Sequence, residues 1–325
     1  MITIIVVTRN RAALLEECLA SLSQQQAPGD WRVLVVDNGS SDDTNLVTTR
    51  YSASNPRFSA ISEAEPGASR ARNRGATEAN TPYLLYVDDE CTFPDGYVAL
   101  AQEIAAGQQP ACFGGPVLSR HHAHPPVPAW FKPDYGAFSL PHNNRPGLPP
   151  RLSAGNLGVS REALFEVGGF PESYGPVGSL MRYGEENAVI AGMWDRFGAE
   201  RVVYEPKLIN RHLVRPEKFS WRFILKDHFL RGLARGRLKA AGLGEDSRIH
   251  DGSASASAPA SRNGFALARL LVDGLLDVTF LRLVTESKRF PNWQNVVYER
   301  WMRYVAAVGV GVGYLKGKFE GQPAG

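Results

Sequence analysis

The chain has 325 residues with a hydrophobic content of 43% and a charged content of 21%, values that exclude a disordered or fibrous protein. Its three cysteines, Cys18, Cys91 and Cys112, are scattered and odd in number, which argues against a disulfide framework and for a reducing compartment. No basic segment followed by a long apolar run opens the chain, and no uncharged stretch is long enough to span a bilayer. We therefore expect neither a secretory signal nor a transmembrane helix.

The net charge of +3 is distributed unevenly along the chain. Residues 207–239 contain ten Lys or Arg and two acids, a local charge of +8, so the remaining residues sum to −5. A basic segment behind an acidic core predicts an anionic partner such as a phosphate or an acidic lipid. We expect no nucleic-acid partner, because the sequence contains no nucleic-acid-binding motif.

Apolar runs separated by capped helices open the chain. Residues 2–7 predict a buried first strand, and residues 32–36 repeat the pattern after an amphipathic helix. The first run ends in a polar turn that starts at Thr8 and Arg9, and the second ends at Asp37. Strand, helix and strand joined by short links predict right-handed βαβ units and a parallel sheet.

A third strand near residues 58–61 is followed by Gly67, Ser69 and three arginines within residues 66–75. Glycine and serine here indicate the start of a helix. A helix start that carries arginines favours the binding of a diphosphate.

The next strand, residues 83–90, carries the strongest functional signal. Its apolar start is typical of a strand buried on both faces, and it ends in Asp88, Asp89 and Glu90. Open α/β sheets bind ligands at the carboxyl ends of their strands, so three adjacent carboxylates there predict a divalent cation shared with a substrate's phosphates. Hard oxygen ligands favour Mg²⁺ or Mn²⁺. The alternative is a solvated acidic turn.

The middle of the chain supplies candidates for the acceptor side. Residues 118–150 are rich in proline and aromatic side chains, which predicts a long functional loop. In this loop Trp130 either stacks on an acceptor sugar or anchors the loop to the core. Residues 152–160 return to a strand that includes Asn156, where we expect the backbone to approach the sugar closely.

Glu185 and Glu186 precede an apolar stripe at helical spacing and so lie in the first turn of a helix. They either interact with the helix dipole alone or supply a general base that takes the proton of an acceptor hydroxyl.

The order of these motifs resembles glycosyltransferase family 2, whose enzymes have the GT-A fold and use sugar nucleotides. The resemblance covers roughly the first two thirds of the chain and rests on residues 4–11, 35–42, 66–75, 86–90, 155–158, 168–170, 184–186 and 203–206 with His212. One short motif is a weak signal, but eight in family order are a strong one.

The resemblance implies roles for individual residues. The nucleotide is expected to contact Thr8, Arg9, Asp37, Asp88 and either Arg70 or Arg72. The metal ligands are expected to be Asp89, Glu90 and His212, although His212 is as readily a surface histidine. The base maps by position onto Glu186, with Glu185 as the alternative, because this chain has Glu-Glu where the family usually has Glu-Asp.

We therefore predict an α/β, GT-A-like Rossmann-type sheet, mixed but mostly parallel and flanked by helices, with a C-terminal helical appendage. The expected domains are a catalytic domain at 1–243, a low-complexity linker at 244–264 and the appendage at 265–325. The nucleotide-binding half is 1–117, the acceptor loop 118–150, and the acceptor half with a basic helix 151–243. That basic helix either lies on an anionic membrane or docks against the core.

The function that the resemblance implies is inverting, metal-dependent transfer of a sugar from a UDP- or dTDP-sugar to a hydroxyl of a glycan or lipid-linked glycan. We expect it in polysaccharide synthesis, in the cytoplasm or peripherally on the inner face of the cell membrane. The alternative is a non-catalytic carbohydrate-binding or scaffold protein on the same fold.

Overall fold

A computed structural model describes residues 1–128, 131, 135–178, 180–242 and 293–320. Ten strands are assigned: β1 Ile2–Thr8, β2 Trp31–Asp37, β3 Phe58–Ser62, β4 Tyr83–Asp88, β5 Cys91–Thr92, β6 Cys112–Gly114, β7 Val117–Arg120, β8 Asn156–Ser160, β9 Val202–Tyr204 and β10 Asn210–Leu213. The α-helices are α1 Ala12–Ser23, α2 Thr44–Ser54, α3 Ala68–Glu78, α4 Tyr97–Gln108, α5 Arg161–Glu166, α6 Glu185–Phe197, α7 Trp221–Ala240 and α8 Trp293–Glu320.

The main sheet has seven strands in the order β3-β2-β1-β4-β8-β6-β9. Strands β3, β2, β1 and β4 are parallel, whereas β8 runs antiparallel to both β4 and β6. A smaller sheet of β5, β10 and β7 places the segment after β4 beside β10. The predicted mixed, mostly parallel α/β sheet is confirmed.

Both faces of the main sheet are buried, as the continuous apolar runs predict. Alternate residues of β1 face opposite sides: Ile4 and Val6 join one core cluster, and Ile5 joins the other. The first cluster includes apolar side chains of α1 and α4, and the second includes those of α3, α5 and α6. This burial fixes the register, so the carboxyl ends of the parallel strands lie together at one edge.

The chain divides into two compact units. The α/β unit comprises residues 1–120, 136–180 and 185–214, and the helical unit comprises residues 121–135, 181–184 and 215–325. The predicted linker, residues 244–264, and residues 265–292 of the predicted appendage lie outside the described residues. Within the helical unit, α7 packs against α8.

Glycines allow the backbones of α7 and α8 to touch. A Cβ built on Gly232 would lie 2.1 Å from the carbonyl oxygen of Ala306, and one on Gly313 would lie 2.0 Å from that of Leu233. Residues later in α7 face residues later in α8, so the two helices run parallel. Neither contact leaves room for a side chain.

A buried carboxylate connects the separate segments of the helical unit. Asp227 is 1% exposed, and its Oδ2 accepts hydrogen bonds from the Tyr135 hydroxyl at 2.8 Å and from Arg231 Nε at 2.8 Å. Its Oδ1 accepts a short hydrogen bond from the Tyr183 hydroxyl. Burial alone would raise the pKa of Asp227, but the Arg231 charge and the three donors outweigh burial and lower it.

We expect Asp227→Asn to destabilise the helical unit by about 2–3 kcal/mol at pH 7. A lowered folded pKa means that the carboxylate stabilises fully above the unfolded pKa of about 3.9 and ceases to do so as the pH falls through the folded value. The difference in unfolding free energy between wild type and variant should therefore be constant near neutral pH and shrink below about pH 4.

Urea titrations at several pH values measure that difference. Glu217→Gln, an exposed position in the same unit, should change stability by less than about 0.5 kcal/mol. If the difference in unfolding free energy between wild type and the Asp227 variant stays the same or grows as the pH falls from about 5 to about 3, the stabilising role assigned to the Asp227 carboxylate is contradicted.

Among the described residues, none of the helices is both long enough and apolar enough to cross a membrane.

Candidate active site

The parallel register brings the predicted polar side chains to one edge. Thr8 is paired with Asp37 across β1 and β2, and Val7 is paired with Asp88 across β1 and β4. Asp37 and Asp88 therefore end two strands at the same edge of one sheet, as predicted, with β1 between them. Asp37 is partly exposed, and its Oδ1 accepts a hydrogen bond from the backbone N–H of Ser40 at 3.0 Å, which closes the turn.

Asp89 faces inward beside Asp88. It is 2% exposed; its Oδ2 accepts a hydrogen bond from the Thr8 hydroxyl at 2.8 Å, and its Oδ1 accepts one from Arg11 Nη1 at 2.8 Å. Burial raises the pKa of Asp89, against the opposing effect of Arg11. These contacts tie the end of β4 to the turn after β1, so Asp89 has a structural role that needs no ligand.

We expect Asp89→Asn to lower stability by about 2 kcal/mol in metal-free protein, because the Arg11 guanidinium loses the closer of its two carboxylate partners, Asp89 at 2.8 Å and Glu90 at 3.9 Å. Thermal and urea unfolding in EDTA measure this loss. Asp43→Asn is the matched control, since Asp43 is exposed and makes no side-chain cap hydrogen bond. If the Asp89 variant is as stable as wild type without metal, the structural role is contradicted. Asp89 would then act only by binding an ion.

Glu90 and His212 form a second contact at this edge. His212 Nε2 lies 2.7 Å from Glu90 Oε1, and both side chains are 6% exposed. His212 is placed there by β10, where it is the register partner of Cys91. Its Nδ1 is buried with no hydrogen-bond partner among the described residues.

The fit of a divalent metal ion follows from this donor set. No group of three or more His, Cys, Asp or Glu side chains that would hold a metal occurs in the part of the chain that the structure describes. Glu90 and His212 supply one carboxylate and one imidazole, a pair compatible with Mn²⁺. An ion with two protein ligands completes its coordination with phosphate and water oxygens. The residues present therefore suit an ion shared with a ligand, and not one enclosed by protein.

Arg72 connects the acidic strand with α6. Its Nη1 lies 2.9 Å from Glu185 Oε1, and its Nη2 lies 3.8 Å from Asp88 Oδ1. Burial alone would lower the pKa of Arg72, but the charges of Glu185 and Asp88 raise it. Glu185 is 5% exposed, whereas Glu186 is partly exposed in the same helical turn. Of the two glutamates, Glu186 is therefore the more accessible to a ligand.

The other arginines occupy different environments. Arg70 is on the surface, where it forms ion pairs with Glu65 and, at 2.7 Å, with Glu172. Arg9 has a buried Nη1 without a hydrogen-bond partner among the described residues, close to the backbone of Gly178. Arg72 is thus the arginine of α3 that the fold directs to the acidic edge.

The two predicted acceptor contacts have different outcomes. Asn156 is fully buried, and its amide bonds the Tyr97 hydroxyl at 2.7 Å and the Leu208 carbonyl at 2.7 Å. That side chain stabilises the core and offers nothing to an acceptor. Trp130 lies outside the described residues. Gly155, next to Asn156, does approach the site, since a Cβ there would lie 2.6 Å from Asp88 Oδ2.

Three residues that shape this edge were not predicted from the sequence. Arg11 pairs with Asp89, and Asn38 bonds the carbonyls of Glu63 and Glu65 and the N–H of Gly67. Asn73 holds both the N–H and the carbonyl of Phe170 at 2.8 Å. The only available signal was that each lies inside a motif, because nothing in the sequence indicates which distant backbone an asparagine will bond.

The structure is an α/β fold whose polar side chains gather at the carboxyl ends of its parallel strands, the edge at which open α/β sheets bind ligands. The sequence matches Glycosyl transferase family 2 over residues 3–165, half of the chain. The chain belongs to that family.

Two curated relatives show how far the similarity extends. Validoxylamine A glucosyltransferase of Streptomyces hygroscopicus subsp. limoneus is 28% identical over 204 residues, 54% of this chain and 44% of that protein. Succinoglycan biosynthesis protein ExoA of Rhizobium meliloti is 30% identical over 96 residues, 29% of either chain. This chain thus spans less than half the length of either relative.

Solved structures share the fold at low sequence identity. Mannosyltransferase PcManGT from Pyrobaculum calidifontis, in complex with GDP-Man and Mn²⁺, has a TM-score of 0.60 and 18% identity, covering 95% of this chain and 86% of that one. S. aureus TarS 1-349 in complex with UDP-GlcNAc has a TM-score of 0.50 and 15% identity, covering 94% and 90%.

Proposed function

We propose that this chain is an inverting glycosyltransferase. It moves a sugar from a nucleoside-diphosphate donor to a hydroxyl of a glycan or lipid-linked glycan, in the synthesis of a surface polysaccharide. The observation that carries the proposal is the arrangement at the strand edge, where Arg72 lies between Asp88 of β4 and Glu185 of the α6 first turn. Membership of the family and the printed names of the relatives support the reaction class.

Nucleotide recognition is assigned to the carboxyl edge of the sheet. Thr8 and Asp37 are register partners on the neighbouring strands β1 and β2, where the base of a nucleotide bound beside β2 would contact both. Arg9 adds a cationic donor whose Nη1 makes no hydrogen bond within the described residues. Asp88, partly exposed at the end of β4, is assigned to the ribose. We propose a UDP- or dTDP-sugar as donor.

Glu90 and His212 would hold Mn²⁺ or Mg²⁺, and Asp89 keeps the acidic segment in place through Thr8 and Arg11. When bound, the ion supplies positive charge that stabilises the leaving diphosphate. Mannosyltransferase PcManGT, which shares this fold and was solved in complex with GDP-Man and Mn²⁺, supports a cation at this edge.

Glu186 is assigned as the general base. It lies in the first turn of α6, where the helix N-terminus favours an ionised carboxylate. Its partly exposed position lets it receive the proton of the acceptor hydroxyl as that oxygen attacks the anomeric carbon. A single displacement of this kind inverts the anomeric configuration.

We also propose a cytoplasmic location with peripheral contact to the inner face of the membrane. The first turns of α7 support this contact, because Trp221 and Leu225 are 40% and 37% exposed next to the exposed cations Arg222 and Lys226. Cys18, Cys91 and Cys112 are all buried free thiols, in keeping with a reducing compartment.

A thermal-shift panel of UDP, dTDP, GDP and NAD, each with and without Mn²⁺, tests the proposal. A ligand that binds the folded state raises its melting temperature by mass action. We expect stabilisation by UDP or dTDP that increases with Mn²⁺. Stabilisation by NAD alone, or by none of the nucleoside diphosphates, would overturn the proposal.

A further inference from the structure

One guanidinium is shared by two carboxylates of the α/β unit. Arg72, on α3, reaches Glu185 at the start of α6 and Asp88 at the end of β4, at 2.9 Å and 3.8 Å. The Arg72 and Glu185 side chains are only 10% and 6% exposed. A planar guanidinium carries several donors in a fixed geometry, so it can span two acids in a way that the point charge of lysine cannot.

Arg72 is held in place by the core around it. Its guanidinium carbon lies 5.5 Å from the centroid of the Phe170 ring, and its carbonyl accepts a hydrogen bond from the Tyr86 hydroxyl at 3.3 Å. Tyr86 and Phe170 pack edge to face at 4.9 Å, and Asn73 fixes the Phe170 backbone. The guanidinium is therefore a rigid spacer between the two acids.

Glu185 depends on this spacer for its position. Its second oxygen, Oε2, is buried without a hydrogen-bond partner among the described residues. On that side lies the backbone of Gly175, where a Cβ would be 3.3 Å from Oε2. Among the described residues, Arg72 is thus the hydrogen-bond partner that holds the Glu185 side chain, and Glu186 is the next residue in the same turn.

We propose that Arg72 is a positioning residue that sets the distance between Asp88 and the first turn of α6, and so aligns Glu186 with the donor. The proposal rests on the glycosyltransferase function proposed above. A misplacement of about 1 Å in a reacting group can reduce the rate roughly 100-fold. Loss of the spacer should therefore slow turnover far more than it weakens nucleotide binding.

Arg72→Lys tests this role, because it keeps the buried charge and removes the ability to span both acids. Turnover is measured as release of nucleoside diphosphate from UDP-glucose, UDP-GlcNAc, dTDP-glucose and GDP-mannose with Mn²⁺, and affinity as the Kd of UDP, dTDP and GDP by calorimetry. We expect turnover to fall by about 10-fold or more while the Kd changes by less than about threefold. Arg74→Lys, on the same helix in an exposed ion pair with Glu78, should leave both unchanged.

Glu185→Gln provides a second variant in case Arg72→Lys does not fold. It keeps the side-chain length and one acceptor for Arg72. We again expect turnover to fall while the Kd changes little, with a smaller loss of turnover than in Arg72→Lys. Turnover within about twofold of wild type in the folded variants would overturn the inference, as would equal losses of turnover and affinity. A wild-type protein that neither binds nor cleaves any of these nucleotides would overturn the proposed function itself, and the inference with it.

Discussion

Glu186→Gln is expected to abolish most of the turnover while nucleotide affinity stays close to that of wild type. A general base typically accelerates a reaction by about 100- to 10,000-fold, and glutamine cannot accept the proton. Glu186 is partly exposed, whereas Glu185 and Asp89 are buried in the ion pairs that hold the sheet edge together. The variant should therefore fold normally.

Release of nucleoside diphosphate from the sugar nucleotides, together with the Kd of the matching nucleotide, measures both quantities. Asp195→Asn, an exposed position near the other end of α6, is the control and should keep full turnover. A Glu186 variant that retains turnover within about threefold of wild type would contradict its assignment as the base. That result would move the assignment of the general base to its alternative, Glu185.

Gly232→Ala is expected to produce the largest loss of stability in the helical unit. The new Cβ would lie 2.1 Å from the carbonyl oxygen of Ala306, so α7 and α8 must separate by roughly 1 Å to restore ordinary contact. Overpacking of a core costs about 1–3 kcal/mol, and a rigid backbone partner places this case at the upper end. We expect a loss of about 3 kcal/mol.

Urea unfolding followed by circular dichroism measures this loss. Gly107→Ala in α4 is the matched control, because a Cβ there meets nothing within 4 Å. The control should stabilise slightly, by up to about 1 kcal/mol, since alanine is the better helix former. Equal stability of the Gly232 variant and wild type would show that α7 and α8 do not pack through their backbones.

The parallel half of the fold was predictable from the sequence because three of its four strands, β1, β2 and β4, are largely continuous apolar runs. The runs at 2–7, 32–36, 58–61 and 83–90 correspond to β1 to β4, and their polar ends meet at one edge as expected. The smaller sheet was not predicted. Its strands have two to four residues, too few to show a period of two, and their pairing depends on segments far apart in the chain.

The division of roles within the site was less predictable than its location. Three adjacent acids indicate a functional strand end, but the sequence does not show that Asp89 turns inward to Thr8 and Arg11 while Glu90 meets His212. Similarly, Arg70 and Arg72 are two residues apart on a helix, so they point to different sides. Packing of α3 on the sheet decides which of them is buried.

A crystal structure of the protein soaked with UDP and Mn²⁺, with anomalous data collected for manganese, tests the central claim most directly. We expect a manganese peak beside Glu90 and His212, the diphosphate of UDP bound to the manganese, and the uracil ring of UDP against Asp37. Ordered nucleotide anywhere other than the carboxyl ends of β1, β2 and β4, with no manganese at Glu90, would contradict the account.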